Sequence, residues 1–154
     1  MQYWLMKSEP ETYSLDDLHQ EQTTGWDGIR NYQARNLMRD QMQVGDEVLF
    51  YHSNARPPGI AGLAVVSQTG LIDPTQFDSS SKYFDPKATP EAPRWIMVEL
   101  AYKSKFPHFV PLPVLRQQAD LEGLMVIKKG SRLSIQPVSQ QHFETICRMG
   151  GARV

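Results

Sequence analysis

The sequence predicts an α+β fold: a mixed, partly closed β pseudo-barrel of five to six strands, flanked by three or four short helices. Two observations carry this expectation. Strand-length runs rich in Val, Ile, Leu, Tyr and Phe recur along the chain, separated by loops rather than by regular crossover helices. Helical periodicity is confined to short segments. With 154 residues, the chain has the size of one domain, spanning 1–154. Its 40% hydrophobic and 21% charged content suits an ordinary buried core that needs no disulfide or metal staple.

The elements follow in order. Residues 3–6 form an apolar run that reads as a strand, closed by Lys7-Ser8-Glu9-Pro10 because Pro10 cannot donate to a ladder. Ser14 is an N-cap, with Asp17 at the third helical position, for a short helix reaching about Glu21. Thr23-Thr24-Gly25 reads as a loop that delivers Trp26. Over 32–42, Ala34, Leu37, Met38 and Met42 share one helical side, while Asn31, Arg35 and Arg39 form a separate polar stripe. Strands are expected over 47–52 and 60–67, paired antiparallel across a Pro-rich loop. Gly59 and Gly62 suggest that another backbone or a ligand comes close. Residues 69–93 are rich in loop formers and carry the Tyr83-Phe84 pair. Such stretches are mobile or functional. A long strand is expected from 95 to 100, reaching toward 106, then a short helix over 111–118 with Pro113 in its first turn. Residues 124–127 and 132–135 read as two more strands. Ser139 caps a final helix to Met149, which Gly150-Gly151 stops.

Composition narrows the function. The 16 basic and 17 acidic side chains nearly cancel, so any nucleic-acid contact is expected to be focal rather than a general field effect. No segment approaches the roughly 20 apolar residues of a membrane helix, and the first residues lack a signal-peptide pattern. Cys147 is the sole cysteine and reads as core filler, which agrees with a reducing, cytoplasmic setting. No metal motif, phosphate-cradling Gly-rich loop or Ser-His-Asp order is present. His52 has no neighbouring His, Cys or carboxylate at metal spacing and reads as structural. No cofactor is expected.

The richest stretch is Trp26-Asp27-Gly28-Ile29-Arg30-Asn31-Tyr32-Gln33-Ala34-Arg35-Asn36, followed by Phe50-Tyr51-His52-Ser53-Asn54. A flat ring beside amides and hydroxyls can hold a planar heterocycle, the ring stacking on its face and the polar groups reading its edge. Each residue also has a plainer use. Trp26 could be core, Asn31 a helix cap, and Ser53-Asn54 turn formers. Arg35 and Arg39 could be a solvated face, and Lys128-Lys129 a turn.

Together with Trp4-Leu5-Met6-Lys7-Ser8-Glu9-Pro10, Gly59-Ile60-Ala61-Gly62, Ser81-Lys82-Tyr83-Phe84-Asp85-Pro86 and Arg132-Leu133-Ser134-Ile135-Gln136-Pro137-Val138, these segments resemble the EVE domain, in its thymocyte nuclear protein type, over nearly the whole chain. The resemblance implies a PUA-like fold and kinship with the YTH domain, which encloses N6-methyladenosine in an aromatic cage. It implies a reader of modified bases in DNA or RNA. Carried over residue by residue, Lys7-Ser8 matches the Lys-Ser opening of YTH and Trp26 its first cage tryptophan. Asn31 lies near the asparagine that contacts the base edge. Tyr83 (or Phe84) stands where YTH has a second cage tryptophan, just before the strand matched by Arg94-Trp95. A phenol there offers less stacking area than an indole. Asp27 also departs from the small residue that YTH places after its tryptophan.

The expected function is therefore non-catalytic binding of DNA or RNA that carries a modified base, by a monomer with no membrane role. The base pocket would comprise Trp26, Tyr83, Ser8, Asn31, Ser53, Asn54 and Lys7. Arg35, Arg39, Lys128 and Arg132 would take phosphates. Three rivals stand beside it. One is a small hydrolase of modified nucleosides, similar to ASCH-type relatives, with Lys7 activating a nucleophile. Another is a pure interaction module, in which Trp26 plays no part in nucleic-acid binding. The third is a sensor of a free nucleotide.

Overall fold

The computed structural model describes residues 1–152. Six strands form one sheet: β1 Tyr3–Ser8, β2 Thr23–Gly25, β3 Glu47–His52, β4 Gly59–Ile72, β5 Ile96–Pro111 and β6 Ile135–Val138. Their order is β2-β5-β4-β3-β1-β6, so β2 and β6 are edges and the sheet does not close. β1 runs parallel to β3, and the other pairings are antiparallel. A parallel neighbour cannot be reached by a tight turn. The chain between β1 and β3 therefore makes a crossover, which carries α1 Leu15–Glu21, β2 and α2 Tyr32–Asp40.

Alternation along β1 divides the interior. Trp4 and Met6 join one core with Leu15, Leu18, Ala34, Met38 and Phe50, under α1 and α2. Leu5 joins another with Leu49, Leu115, Phe143, Ile146 and Cys147, under α3 Leu112–Gln117 and α4 Gln140–Met149. Both faces of the sheet are thus covered. Trp4 is a packing residue, fully buried, with its indole N–H donating to the buried carboxylate of Asp46 at 3.0 Å.

Helix starts are local and match expectation. Ser14 Oγ accepts from Asp17 N (3.1 Å) while Asp17 accepts from Ser14 N (2.9 Å), a reciprocal capping box. Asn31 and Ser139 cap α2 and α4. His52 is structural, as its sequence setting suggests. Its Nε2 accepts from the Leu15 backbone N–H at 3.1 Å, which satisfies an otherwise unpaired donor in the first turn of α1. That bond requires a neutral ring, and burial lowers the His52 pKa below 6.5. A depressed folded-state value means that the contribution is present above the unfolded value and is lost as pH falls. Melting temperature should drop between pH 7 and 5, and His52→Gln should flatten that dependence. An unchanged slope in the variant would refute the assignment.

Several expectations need correction. Thr23–Gly25 is a short strand, because β5 supplies it with partners; three residues show too little alternation to be read locally. β4 and β5 run longer than expected, to 14 and 16 residues, and register shifts in their pairing bend them. Residues 124–127 are not a strand. Met125–Ile127 is a 3-10 turn held by local bonds such as Lys128 N to Met125 O at 3.1 Å. The last strand starts at Ile135, not at 132. The close approach signalled by Gly59 and Gly62 is of backbone, not ligand. A Cβ at either would run into a β5 carbonyl, Val110 O or Ser104 O.

The stretch before β5 is tied down despite its turn-forming composition. Gln76 is fully buried. Its amide donates to the carbonyls of Asp73 (2.7 Å) and Trp95 (2.9 Å), and its Oε1 accepts from Arg94 N and Trp95 N. Among the described residues, no helix is long and apolar enough to cross a membrane.

Candidate functional site

A cavity of about 450 Å³ opens where β1 ends and the crossover begins. Its wall comes from three places. β1 and its continuation bring Lys7, Ser8, Glu9, Thr12 and Tyr13; β2 and the following turn bring Thr24 to Ile29; the loop before β5 brings Lys82 and Tyr83. Lys7, Ser8, Trp26 and Tyr83 therefore line one cavity.

Trp26 serves two purposes at once. It is 8% exposed and belongs to the core under α1 and α2, meeting Phe50 edge-on at 5.6 Å. Its backbone N–H continues the β2–β5 ladder by donating to Val98 O at 2.8 Å. The remaining surface lines the cavity. Tyr83, not Phe84, faces the cavity; Phe84 is 40% exposed elsewhere. The Tyr83 ring lies on Gly28, where an added Cβ would stand 2.7 Å from Cε2, and the Gly28 φ of +77° also favours glycine.

The turn between Trp26 and Arg30 is held by a carboxylate that does not line the cavity. Asp73 is 2% exposed. It accepts from Gly28 N (2.9 Å), Arg30 Nη1 (3.1 Å), Thr75 N (2.8 Å) and Thr75 Oγ1 (2.6 Å). Burial pushes its pKa up, but these donors outweigh it and leave the net value below 3.8. Arg30 also donates to Tyr83 O at 2.8 Å, and its guanidinium lies 5.6 Å from the Tyr83 ring centre. One ion pair thus fixes both aromatic walls relative to each other. Asp73 and Arg30 were missed in the sequence. Asp73-Pro74 signals a turn, but nothing local links it to Gly28.

The other expected residues fall differently. Lys7 lines the cavity, but alternation turns its side chain to the Leu5 face. There its ammonium donates to Ser131 O at 3.2 Å and sits 5.9 Å over the Tyr51 ring, and burial lowers its pKa. Ser8 Oγ donates to Tyr13 O at 2.6 Å. The Tyr13 hydroxyl donates to Glu21, and burial with that carboxylate pushes its pKa up to about 12. Asn31, Ser53 and Asn54 are not among the lining residues. Asn31 Oδ1 accepts from Ala34 N at 2.9 Å, the plain capping role. Ser53 N donates to Ser8 O, and Asn54 takes a left-handed φ of 52°, which asparagine tolerates in turns.

Nor do the four expected phosphate ligands line the cavity. Arg35 donates to Arg94 O at 2.9 Å and to Asn36 Oδ1, and stacks over Tyr32 at 4.6 Å. Arg39 is an exposed partner of Asp40. Lys128 and Arg132 are exposed on the loop whose Ser131 carbonyl holds Lys7. Two carboxylates that sequence reasoning did not select, Glu9 and Asp27, do line the cavity. Burial raises the Asp27 pKa above 3.8, with Asp73 adding to it. Among the described residues, no group of His, Cys, Asp and Glu is arranged to hold a metal.

An open six-stranded sheet with a parallel β1–β3 pair, covered on both faces by short helices, defines an α+β domain of the PUA-like kind. A family model described as EVE domain matches residues 2–149, and the chain belongs to the EVE domain family. It is 39% identical over 162 residues to human thymocyte nuclear protein 1, covering 94% of this chain and 72% of that protein. A crystal structure of a Pseudomonas syringae protein superposes with a TM-score of 0.91 at 44% identity, covering 96% of this chain and 99% of that one. The human THYN1 protein, crystallised in complex with 5-methylcytosine-containing DNA, superposes with a TM-score of 0.89 at 37% identity and covers 100% of both chains.

Proposed function

We propose that this chain is a non-catalytic reader that binds DNA by taking an extruded modified base, of the 5-methylcytosine kind, between Trp26 and Tyr83. The observation that carries the reading is the whole-chain likeness to the human protein bound to such DNA. The cavity supports it. Its volume of about 450 Å³ suits a small planar ligand, and a flat ring stands on each of two walls that Arg30 and Asp73 hold together. Asp27 would accept from the exocyclic amino group of cytosine, the pairing expected of a carboxylate with that base. It would repel the carbonyl that thymine presents instead. The modification itself is sensed weakly. Burying one methyl contributes about 0.8 kcal/mol, a few-fold in affinity, so base identity rests on the edge contacts.

The same geometry favours binding over hydrolysis. Ser8 Oγ donates its hydrogen bond to Tyr13 O, and the Lys7 ammonium is turned to Ser131 O on the other face. They do not form a nucleophile and base.

Tyr83→Ala is the cleaner variant, because Tyr83 is only partly buried and is not a core residue. Losing one base–aromatic contact should weaken binding of a 5-methylcytosine oligomer by about tenfold, within the 1–3 kcal/mol of such stacking, at little change in melting temperature. Titration by fluorescence anisotropy, beside an unmodified control, reads this directly. Equal affinity of wild type for modified and unmodified strands would refute the reader. Turnover of a modified nucleoside would favour the hydrolase.

A further inference from the structure

Rings and guanidiniums alternate in a strip that leads away from the cavity. From Tyr83 on the wall, the Arg30 guanidinium lies 5.6 Å from that ring and 5.0 Å from Trp95. Arg35 lies 5.7 Å from Trp95 and 4.6 Å from Tyr32, and Tyr32 stacks on Trp95 at 4.7 Å. At 5.7 Å apart, Trp95 and Arg35 are too close to lie on opposite faces of Tyr32, so they do not sandwich it. One face of that ring stays open, and the residue is 49% exposed. Beside it Arg94 approaches the Tyr32 hydroxyl at 3.5 Å, a long contact that leaves most of its donors unused. Its backbone is anchored by Gln76 at 2.9 Å.

Three arginines, Arg30, Arg35 and Arg94, line this strip. Asp73 pairs with Arg30 and Asp85 accepts the Trp95 indole N–H at 2.8 Å, while Arg94 keeps donors for a group from outside. An open ring flanked by guanidiniums is the arrangement that grips a nucleic-acid strand without reading its sequence.

We propose that the open face of Tyr32, with Arg94 beside it, is a second nucleotide subsite. It would stack a base that neighbours the one in the cavity, while Arg94 takes the linking phosphate. The inference rests on the reading of the cavity as a base pocket, and it predicts that this protein binds a strand more tightly than a free nucleoside. It also moves phosphate contact from Arg35, whose guanidinium is held within the protein by Arg94 O and Asn36 Oδ1, to Arg94.

The test titrates wild type, Tyr32→Ala, Tyr32→Phe and Arg94→Gln with 5-methyl-2′-deoxycytidine and with short single strands of DNA and RNA, modified and unmodified. Tyr32→Ala should weaken every strand by about tenfold, the scale of one lost stack, and leave the nucleoside unaffected, whereas Tyr32→Phe should retain strand affinity. Arg94→Gln should reduce the salt dependence of strand binding by about one counterion. Thermal melts check that each variant is folded. Unaltered strand affinity in Tyr32→Ala, an equal loss on nucleoside and strand, or the absence of any strand binding by wild type would overturn the subsite. Failure of the pocket reading looks different: wild type would not prefer modified strands, yet the Tyr32→Ala loss on unmodified strands would persist. The DNA and RNA arms decide which polymer the subsite favours.

Discussion

Trp26→Ala is expected to cost about 3–5 kcal/mol of folding stability, the usual range for deleting a large buried aromatic. The indole is 8% exposed and packs edge-on against Phe50, so its removal opens a hole in the core as well as a gap in the cavity wall. Urea unfolding should show a lower midpoint at a similar slope. The consequence for function is practical: lost binding in this variant does not by itself identify a ligand contact. Trp26→Phe keeps a flat ring and should recover most of the stability while retaining part of the binding. A midpoint for Trp26→Ala equal to wild type would show that the tryptophan is not core.

Asp73→Ala should be comparably severe, about 3–5 kcal/mol, because removing one partner of a buried pair strands the others. Arg30, the Gly28 amide and both Thr75 donors lose their acceptor together. Affinity for a modified strand should fall too, although Asp73 does not line the cavity, because the Trp26 and Tyr83 walls are no longer held at a fixed separation. pH provides an independent readout. The folded-state pKa of Asp73 is depressed, so its contribution is present above the ordinary value of 3.8 and is lost as pH falls below it. Asp73→Asn should therefore be less stable than wild type at pH 7, with the gap closing below about pH 4 as wild-type Asp73 takes up a proton. A gap that does not change with pH would mean that the charge of Asp73 is not what holds the turn.

Helix starts and the regular strands were legible because their determinants lie within a few residues. Ser14, Asn31 and Ser139 each cap the backbone N–H of a residue three positions on. The run of Val, Leu, Phe and Tyr in β3 spans the 47–52 that it occupies. Where the determinant lay in a partner strand, local reading stopped short. β2 exists because β5 offers it a ladder, and β4 continues to Ile72 because β5 runs beside it. The 124–127 segment misled because Leu124 and Val126 are both buried, a spacing that a strand and a tight turn satisfy equally.

The site divides in the same way. Ser8, Lys7, Trp26 and Tyr83 could be selected from motif resemblance, and they meet in one cavity. Asn31 had two uses open to it, as cap and in the pocket; its Oδ1 caps α2 through Ala34 N, and it is not among the residues that line the cavity. Lys7 was placed in the right neighbourhood, but strand alternation turned its ammonium to Ser131. By itself the sequence determined the family, most of the helices and strands, and Trp26 and Tyr83 as aromatic residues of the cavity, all of which depend on residue identity and short spacing. Only the tertiary structure decided which polar groups face that cavity and what holds its walls. The bonds of Asp73 to Gly28 and Arg30 join positions 45 and 43 residues apart, and such pairs come into existence only when the sheet brings their segments together.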